Sequence, residues 1–150
     1  MSETPSVDLL LVEDNPQDLE LALLALREAN PQAHIQVARD GAEALEFIFC
    51  EGPHAGRRMT DLPKVILLDL KLPKVDGLDV LKRLKGDPRT SMIPIVVLTS
   101  SKEQRDVVES YRLGVNSYIV KPVNFERFTE AVRSLGLYWQ NLNQPPRMGH

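Results

Sequence analysis

Short apolar runs, rich in leucine and β-branched residues, recur five times along the chain. They lie at Asp8–Val12, His34–Val37, Val65–Leu68, Ile93–Leu98 and Ser117–Val120. Short runs that are apolar almost throughout are typical of strands buried on both faces of a sheet. The pattern therefore predicts five buried strands.

The segments between these runs carry apolar residues at spacings of three and four. Examples are Leu19, Leu23 and Leu26, then Ala44, Leu45 and Ile48, then Leu78, Leu81 and Leu84. This spacing indicates helices that pack one face on a sheet. Because strand and helix alternate, the strands should be parallel with right-handed crossovers. We predict an α/β fold with a doubly wound sheet and helices on both faces.

Polar residues mark the starts of three predicted helices. Asn15 followed by Pro16 is typical of an N-cap with proline at the first helical position. Asp40 with Glu43, and Ser101 with Gln104, have the spacing of a capping box.

Two segments are longer than a simple alternation of strands and helices requires. Residues 51–63 contain several glycines and prolines and are expected to form a long loop before the third strand. Apolar residues keep helical spacing from Phe125 to about Asn143, before Pro145 and Pro146 end the helix. We expect a flexible N-terminus at 1–6, one domain at 7–143 with an extended C-terminal helix, and a flexible tail at 144–150.

Composition narrows the choice of function. The 150 residues are 43% hydrophobic and carry a net charge of −3, which fits one domain and disfavours nucleic-acid binding. Cys50 is the single cysteine, so no intrachain disulfide can form. No apolar run approaches the ~20 residues that a membrane span needs. A cytoplasmic protein with protein partners is the expectation.

Acidic, hydroxyl and basic side chains follow four of the predicted strands. Glu13 and Asp14 follow the first, Asp69 the third, Thr99 the fourth and Lys121 the fifth. In a parallel sheet these residues emerge at one edge, where ligands of such folds bind. Three neighbouring carboxylates repel one another, and a hard cation such as Mg²⁺ relieves that repulsion.

The charges at this edge suit phosphoryl transfer. Lys121 can bind one phosphoryl oxygen and the Thr99 hydroxyl can donate to another, while the metal neutralises further charge. Asp69 is then the natural nucleophile.

Four segments give the chain a family resemblance: LLLVEDN at 9–15, LLDLKLP at 67–73, IVVLTSS at 95–101 and NSYIVKP at 116–122. In order and spacing they resemble the signatures of the response regulator receiver domains of two-component signalling, over roughly residues 7 to 138. The resemblance implies a five-stranded flavodoxin-like fold with strand order 2-1-3-4-5, and phosphorylation of Asp69 by a sensor histidine kinase. It also implies that Mg²⁺ is bound by Asp14, Asp69 and the Lys71 carbonyl, with Glu13 acting largely through a metal-bound water.

The same resemblance assigns further roles. Thr99 and Tyr118 match the pair that switches on phosphorylation, and Lys121-Pro122 resembles a cis peptide of the family. Lys71 and Ser101 occupy positions that flank the path of a hydrolytic water. Neither is an obvious water-orienting acid or amide, which favours slow self-dephosphorylation.

The loop at 51–63 and Tyr138-Trp139 are similar to the small regulators that serve phytochrome-type sensor kinases. Alternatively, Trp139 covers the end of the core. We expect a stand-alone receiver whose output passes through protein contacts, with a homodimer through the C-terminal helix face as one route.

Other functional classes fit less well. An aspartyl-phosphate hydrolase would carry a second acid two residues after the nucleophile, where Lys71 stands. A dinucleotide-binding module would need glycines in the first turn, where Glu13 and Asp14 would repel a phosphate. A DNA-binding regulator would need a further domain. A degenerate, unphosphorylated receiver is disfavoured because all five site positions are filled.

Overall fold

The computed structural model describes residues 7–58, 61–121, 124–127, 129–130 and 133. Its strands are β1 (Leu9–Val12), β2 (Ile35–Ala38), β3 (Val65–Leu68), β4 (Ile95–Thr99) and β5 (Ser117–Val120). Its helices are α1 (Pro16–Ala29), α2 (Gly41–Ile48), α3 (Gly77–Gly86) and α4 (Gln104–Arg112), with a 3₁₀ turn at Gly52–His54. All strand pairs are parallel, in the order β2-β1-β3-β4-β5. The predicted fold class and strand order are confirmed.

The strand limits differ from prediction mainly at β4, which runs from Ile95 to Thr99 instead of from Ile93 to Leu98. Pro94 has no amide hydrogen for the ladder, and only its carbonyl takes part, accepting a bond from the Ile66 amide at 3.0 Å. At the other end Thr99 pairs with Val120. Thr99 is therefore the last residue of the strand and not the first residue beyond it.

The central strands are buried on both faces, because alternate strand residues point to opposite sides and helices cover both sides. Leu10, Val12, Ile66 and Leu68 belong to the core that α2 and α3 cover. The intervening strand residues pack with Ala22, Ala25 and Leu26 of α1, and these strand residues are Leu9, Leu11, Val65 and Leu67. All eight strand residues are at most 2% exposed, which accounts for the uninterrupted apolar runs in the sequence.

Two of the three predicted helix starts are confirmed. Asn15 Oδ1 accepts hydrogen bonds of 3.0 Å from the amides of Gln17 and Asp18. Asp40 Oδ1 accepts one of 2.7 Å from the Glu43 amide. The predicted capping role of Ser101 is wrong.

The N-cap of α4 is Glu103 instead. Ser101 lies two residues before that cap, where its hydroxyl accepts a bond from the Glu103 amide at 3.3 Å. The Ser101 hydroxyl also donates to Asp106, one helical turn further on.

The long loop before β3 is folded against α2. The Arg57 guanidinium lies 3.6 Å from the centre of the Phe47 ring, and it donates to the backbone carbonyls of Phe47 and Asp61. His54 meets the same ring edge-on, with ring centres 5.1 Å apart. This insertion is therefore attached to α2 by a cation–π contact and hydrogen bonds.

The proposed limits of the flexible segments at 1–6 and 144–150 fall outside the described residues, as does the end of the C-terminal helix near Asn143. Residues 125–127, 129–130 and 133 are helical. Among the helices that the structure describes, none has the length and apolar character to cross a membrane.

Gly77→Ala should destabilise the fold, because a Cβ at Gly77 would lie 2.4 Å from both the Asp69 carbonyl oxygen and the Leu70 Cα. Backbone atoms cannot move aside as a flexible side chain can, so we expect a loss of ~2–3 kcal/mol in the free energy of unfolding. The matched control is Gly86→Ala at the other end of α3, where a Cβ meets nothing within 4 Å. Urea denaturation should show Gly86→Ala at least as stable as wild type, and equal losses in both variants would contradict this explanation.

Candidate functional site

The candidate site lies at the carboxyl edge of the sheet, where backbone hydrogen bonds continue past the strands. The Glu13 amide donates to the Ala38 carbonyl at 3.0 Å, and the Asp69 amide donates to the Val12 carbonyl at 3.0 Å. The Lys121 amide donates to the Thr99 carbonyl at 2.8 Å. These bonds fix the backbone of the first residue after β1, β3 and β5, so the three side chains extend from rigid positions.

Lys121 is the centre of the site. Its ammonium lies 2.6 Å from Glu13 Oε1, 2.9 Å from Asp18 Oδ2 and 3.0 Å from Asp69 Oδ2. An ammonium group has three N–H donors, and each meets a carboxylate. Glu13 and Asp69 are 2% and 5% exposed at the side chain, whereas Asp18 is 38% exposed.

Burial and charge shift the pKa values of two of these groups. Burial raises the pKa of Glu13 to about 7, against the hydrogen bond from Lys121, and the neighbouring charge of Asp69 adds to the increase. Burial lowers the pKa of Lys121, but its hydrogen bonds to Glu13 and Asp18 and the charge of Asp69 raise it overall. Lys121 therefore provides a fixed positive charge at neutral pH.

The structure brings together three of the predicted metal ligands. One carboxylate oxygen each from Glu13, Asp14 and Asp69 can be chosen so that all lie within 4.8 Å of one another. The Lys71 amide donates to Asp69 Oδ1 at 3.1 Å, which places Lys71 at the same site. A donor set made only of oxygen atoms, with carboxylates that repel one another, fits Mg²⁺ or Mn²⁺.

Thr99 and Tyr118 meet through Ser101. Thr99 is fully buried, and its Oγ1 accepts a hydrogen bond from the Ser101 amide at 3.3 Å. The Tyr118 hydroxyl donates to the Ser101 carbonyl at 3.0 Å. Burial raises the pKa of Tyr118, so the hydroxyl keeps its proton and its donor role at neutral pH. The two predicted switch residues thus contact one short loop.

Two residues of this region were not predicted from the sequence. Asp18, in the first turn of α1, contacts Lys121. Asp106, in the first turn of α4 and 8% exposed, accepts a hydrogen bond of 2.5 Å from the Ser101 hydroxyl. Both resemble ordinary acidic residues near helix N-termini, where the helix dipole favours negative charge. Pro122 and Trp139, which the sequence singled out, lie outside the described residues.

Comparison with known sequences places the chain in one family. Residues 9–133 match the family model described as response regulator receiver domain. Response regulator Rcp1 of Synechocystis is 37% identical over 138 residues, covering 92% of this chain and 91% of Rcp1. Probable methanogenesis regulatory protein FilR2 of Methanothrix harundinacea is 40% identical over 146 residues, covering 97% and 90%.

Solved structures agree with the sequence comparison. The phosphorylated cyanobacterial phytochrome response regulator RcpA superposes with a TM-score of 0.82 at 36% identity, covering 95% of this chain and all of RcpA. The Mn²⁺-bound form of Rcp1 gives 0.80 at 36% identity, with the same coverage. The bacteriophytochrome response regulator AtBRR gives 0.74 at 50% identity, covering 93% of this chain and all of AtBRR. The chain therefore belongs to the response regulator receiver domain family.

Proposed function

We propose that Asp69 accepts a phosphoryl group from a sensor histidine kinase and that the chain passes the signal on through protein contacts. The observation that carries this proposal is the position of Asp69. It is 5% exposed, 3.0 Å from the Lys121 ammonium, and in reach of Glu13 and Asp14 as a common set of metal ligands. The structure of phosphorylated RcpA, a relative of the same fold, supports it.

Phosphoryl transfer to Asp69 forms one new bond and breaks another. A carboxylate oxygen of Asp69 attacks the phosphorus atom, and the bond from phosphorus to the imidazole nitrogen of the kinase breaks as the new O–P bond forms. The electron pair leaves with the imidazole, which takes up a proton from water. Lys121 offsets the negative charge on the phosphoryl oxygens, and Thr99 at the end of β4 can donate its hydroxyl to one of them.

The metal of this proposal is Mg²⁺. Asp14, Asp69 and the Lys71 carbonyl would hold it, and Glu13 would act through a metal-bound water. When bound, the ion supplies positive charge that offsets the repulsion among the carboxylates and the phosphoryl group. The Mn²⁺-bound structure of Rcp1 supports a divalent cation in this family.

The loop after β4 couples the site to the surface. Movement of Thr99 toward a phosphoryl group would disturb its bond with the Ser101 amide, and Tyr118 contacts the same residue. Two arrangements of this loop would then be populated according to the state of Asp69. The Ser101 hydroxyl is engaged by Asp106, so it is not free to orient a hydrolytic water. This supports slow self-dephosphorylation.

The proposed kinase is of the phytochrome type. RcpA and AtBRR are described as phytochrome and bacteriophytochrome response regulators, and both are similar to almost the whole chain. FilR2, a probable methanogenesis regulatory protein by its name, is also similar to almost the whole chain.

Phosphorylation can be tested directly. Incubation with Mg²⁺ and acetyl phosphate should add one phosphoryl group per chain, detected by intact mass spectrometry, and proteolysis should map it to Asp69. After the donor is removed, the decay of the modified mass measures self-dephosphorylation. A phosphoryl group on another residue, or none at all, would contradict the proposal.

We also propose that phosphorylation strengthens a homodimer through the α4–β5 face and the C-terminal helix. Val108 and Tyr111 of α4 support this face, because these large hydrophobic residues are 48% and 51% exposed. Amphipathic aromatic residues are enriched at interfaces. Sedimentation with and without beryllofluoride should show a larger dimer fraction with this phosphoryl mimic. The Tyr111→Ala variant should show a smaller increase, and monomers in both conditions would exclude the dimer.

A further inference from the structure

Asp18 is the unexplained member of the site. It lies in the first turn of α1, held there by the bond from its amide to Asn15 Oδ1. Its carboxylate is 2.9 Å from the Lys121 ammonium, closer than that of Asp69 at 3.0 Å. The proposed phosphotransfer gives Asp18 no role, since it is neither nucleophile nor metal ligand.

The three carboxylates around Lys121 are not equivalent. Glu13 is nearly fully buried and closest to the ammonium, at 2.6 Å, so it holds Lys121 in place whether or not Asp69 is modified. Asp69 loses its negative charge when an oxygen becomes esterified, and a phosphoryl oxygen can then take its place as a partner of Lys121. Asp18 keeps its charge and stays on the exposed side of the ammonium.

Lys121 then faces competing anions in the phosphorylated protein. The phosphoryl group carries about −1.5 to −2 charges at neutral pH, and its stabilisation depends on the positive charge near it. A carboxylate 2.9 Å from the ammonium offsets part of that charge. Because Asp18 is more than a third exposed, water screens this effect and limits its size.

We propose that Asp18 is a positioning residue that acts through Lys121 as a competing counterion and weakens the hold of the site on the phosphoryl group. This inference rests on the proposed function of Asp69. While the site is unmodified, the Asp18 carboxylate offsets part of the positive charge of Lys121. In the phosphorylated protein the same carboxylate reduces the stabilisation that Lys121 gives to the phosphoryl group.

The experiment compares Asp18→Ala with Glu20→Ala, since both remove one negative charge from α1 but Glu20 is an exposed residue of the helix. Beryllofluoride affinity is measured by calorimetry with Mg²⁺ at high salt, where charges without a direct contact are screened. Asp18→Ala should bind the mimic about fivefold more tightly than wild type, the size expected for a partly exposed ion pair. Glu20→Ala should match wild type.

A double-mutant cycle identifies Lys121 as the intermediary. The Lys121→Ala background should bind the mimic more weakly than wild type, and adding the Asp18→Ala change to it should have no further effect. An unchanged or weaker affinity in the single variant, or the same gain in both backgrounds, would overturn the inference.

A second measurement does not depend on phosphoryl binding. The ¹⁵N signal of the Lys121 ammonium reports how fast its protons exchange with water, and Asp18→Ala should speed this exchange in the unmodified protein. Unchanged exchange would show that Asp18 does not hold Lys121. If the wild type failed to bind beryllofluoride, the proposed function would be wrong, while the exchange rate would still decide whether Asp18 acts on Lys121.

Discussion

Replacing Asp69 with asparagine should reduce phosphorylation by acetyl phosphate or a cognate kinase to background level. The amide cannot act as the nucleophile, because it lacks the negative charge that attacks phosphorus. The fold should be retained, since the new side-chain oxygen can still accept the 3.1 Å bond from the Lys71 amide. Repulsion with Glu13 and Asp14 is removed together with the ion pair to Lys121, so the two changes oppose each other and we expect a Tm close to that of wild type.

The matched control is Asp79→Asn, an exposed aspartate of α3 ten residues further along the chain. It should be labelled at the wild-type rate. Labelling is followed by the shift in intact mass, and Tm is followed by circular dichroism. Equal labelling of Asp69→Asn and wild type would exclude Asp69 as the acceptor. A Tm below the assay temperature would instead show that the variant loses phosphorylation because it is unfolded.

Asp14→Ala should lose both metal binding and phosphorylation. Asp14 is a half-buried member of the three-carboxylate cluster, so its removal takes away one predicted ligand and one of the charges that the ion offsets. Loss of a direct ligand should weaken Mg²⁺ affinity by at least the roughly 10–100-fold that outer partners of metal ligands typically contribute. The phosphorylation rate should fall in parallel at millimolar Mg²⁺.

Calorimetric titration with Mg²⁺ measures the affinity, and the rise in Tm with added Mg²⁺ provides a second readout. Wild type and Asp79→Asn should both be stabilised by the ion, and Asp14→Ala should not. Phosphorylation of Asp14→Ala at the wild-type rate after metal removal with EDTA would disprove the predicted metal site.

The sequence predicted the sheet well because its three central strands are buried on both faces. A strand with no exposed face leaves an apolar run, and the limits of β3 matched such a run. The limits of the half-buried β5 also matched the prediction. The limits of β4 were less accurate, since Ile93 and Pro94 are apolar but precede the first ladder pair at Ile95. The apolar residues at 93 and 94 reflect burial, whereas the paired residues of the ladder begin at Ile95.

The site residues that directly follow strands could be predicted from the sequence. Glu13, Asp69 and Lys121 follow strands directly, so parallel topology alone brings them to one edge. Asp18 and Asp106 lie inside helical turns and gain their contacts from helix orientation, which a one-dimensional pattern does not contain. Lys121 and Asp18 are separated by 103 positions in the sequence. Their chemical roles remain predictions for the variants to test.

The contacts of Lys121 also bear on the order of events during folding. Its ammonium joins residues that precede it by 108, 103 and 52 positions, so closing the site requires loops that span most of the described chain. Such distant contacts form late, because their loop entropy is recovered only once the intervening sheet has assembled. A nascent or partly folded chain therefore lacks the cation beside Asp69. Under the proposed function, phosphoryl acceptance at Asp69 should therefore be among the last properties that a folding chain acquires.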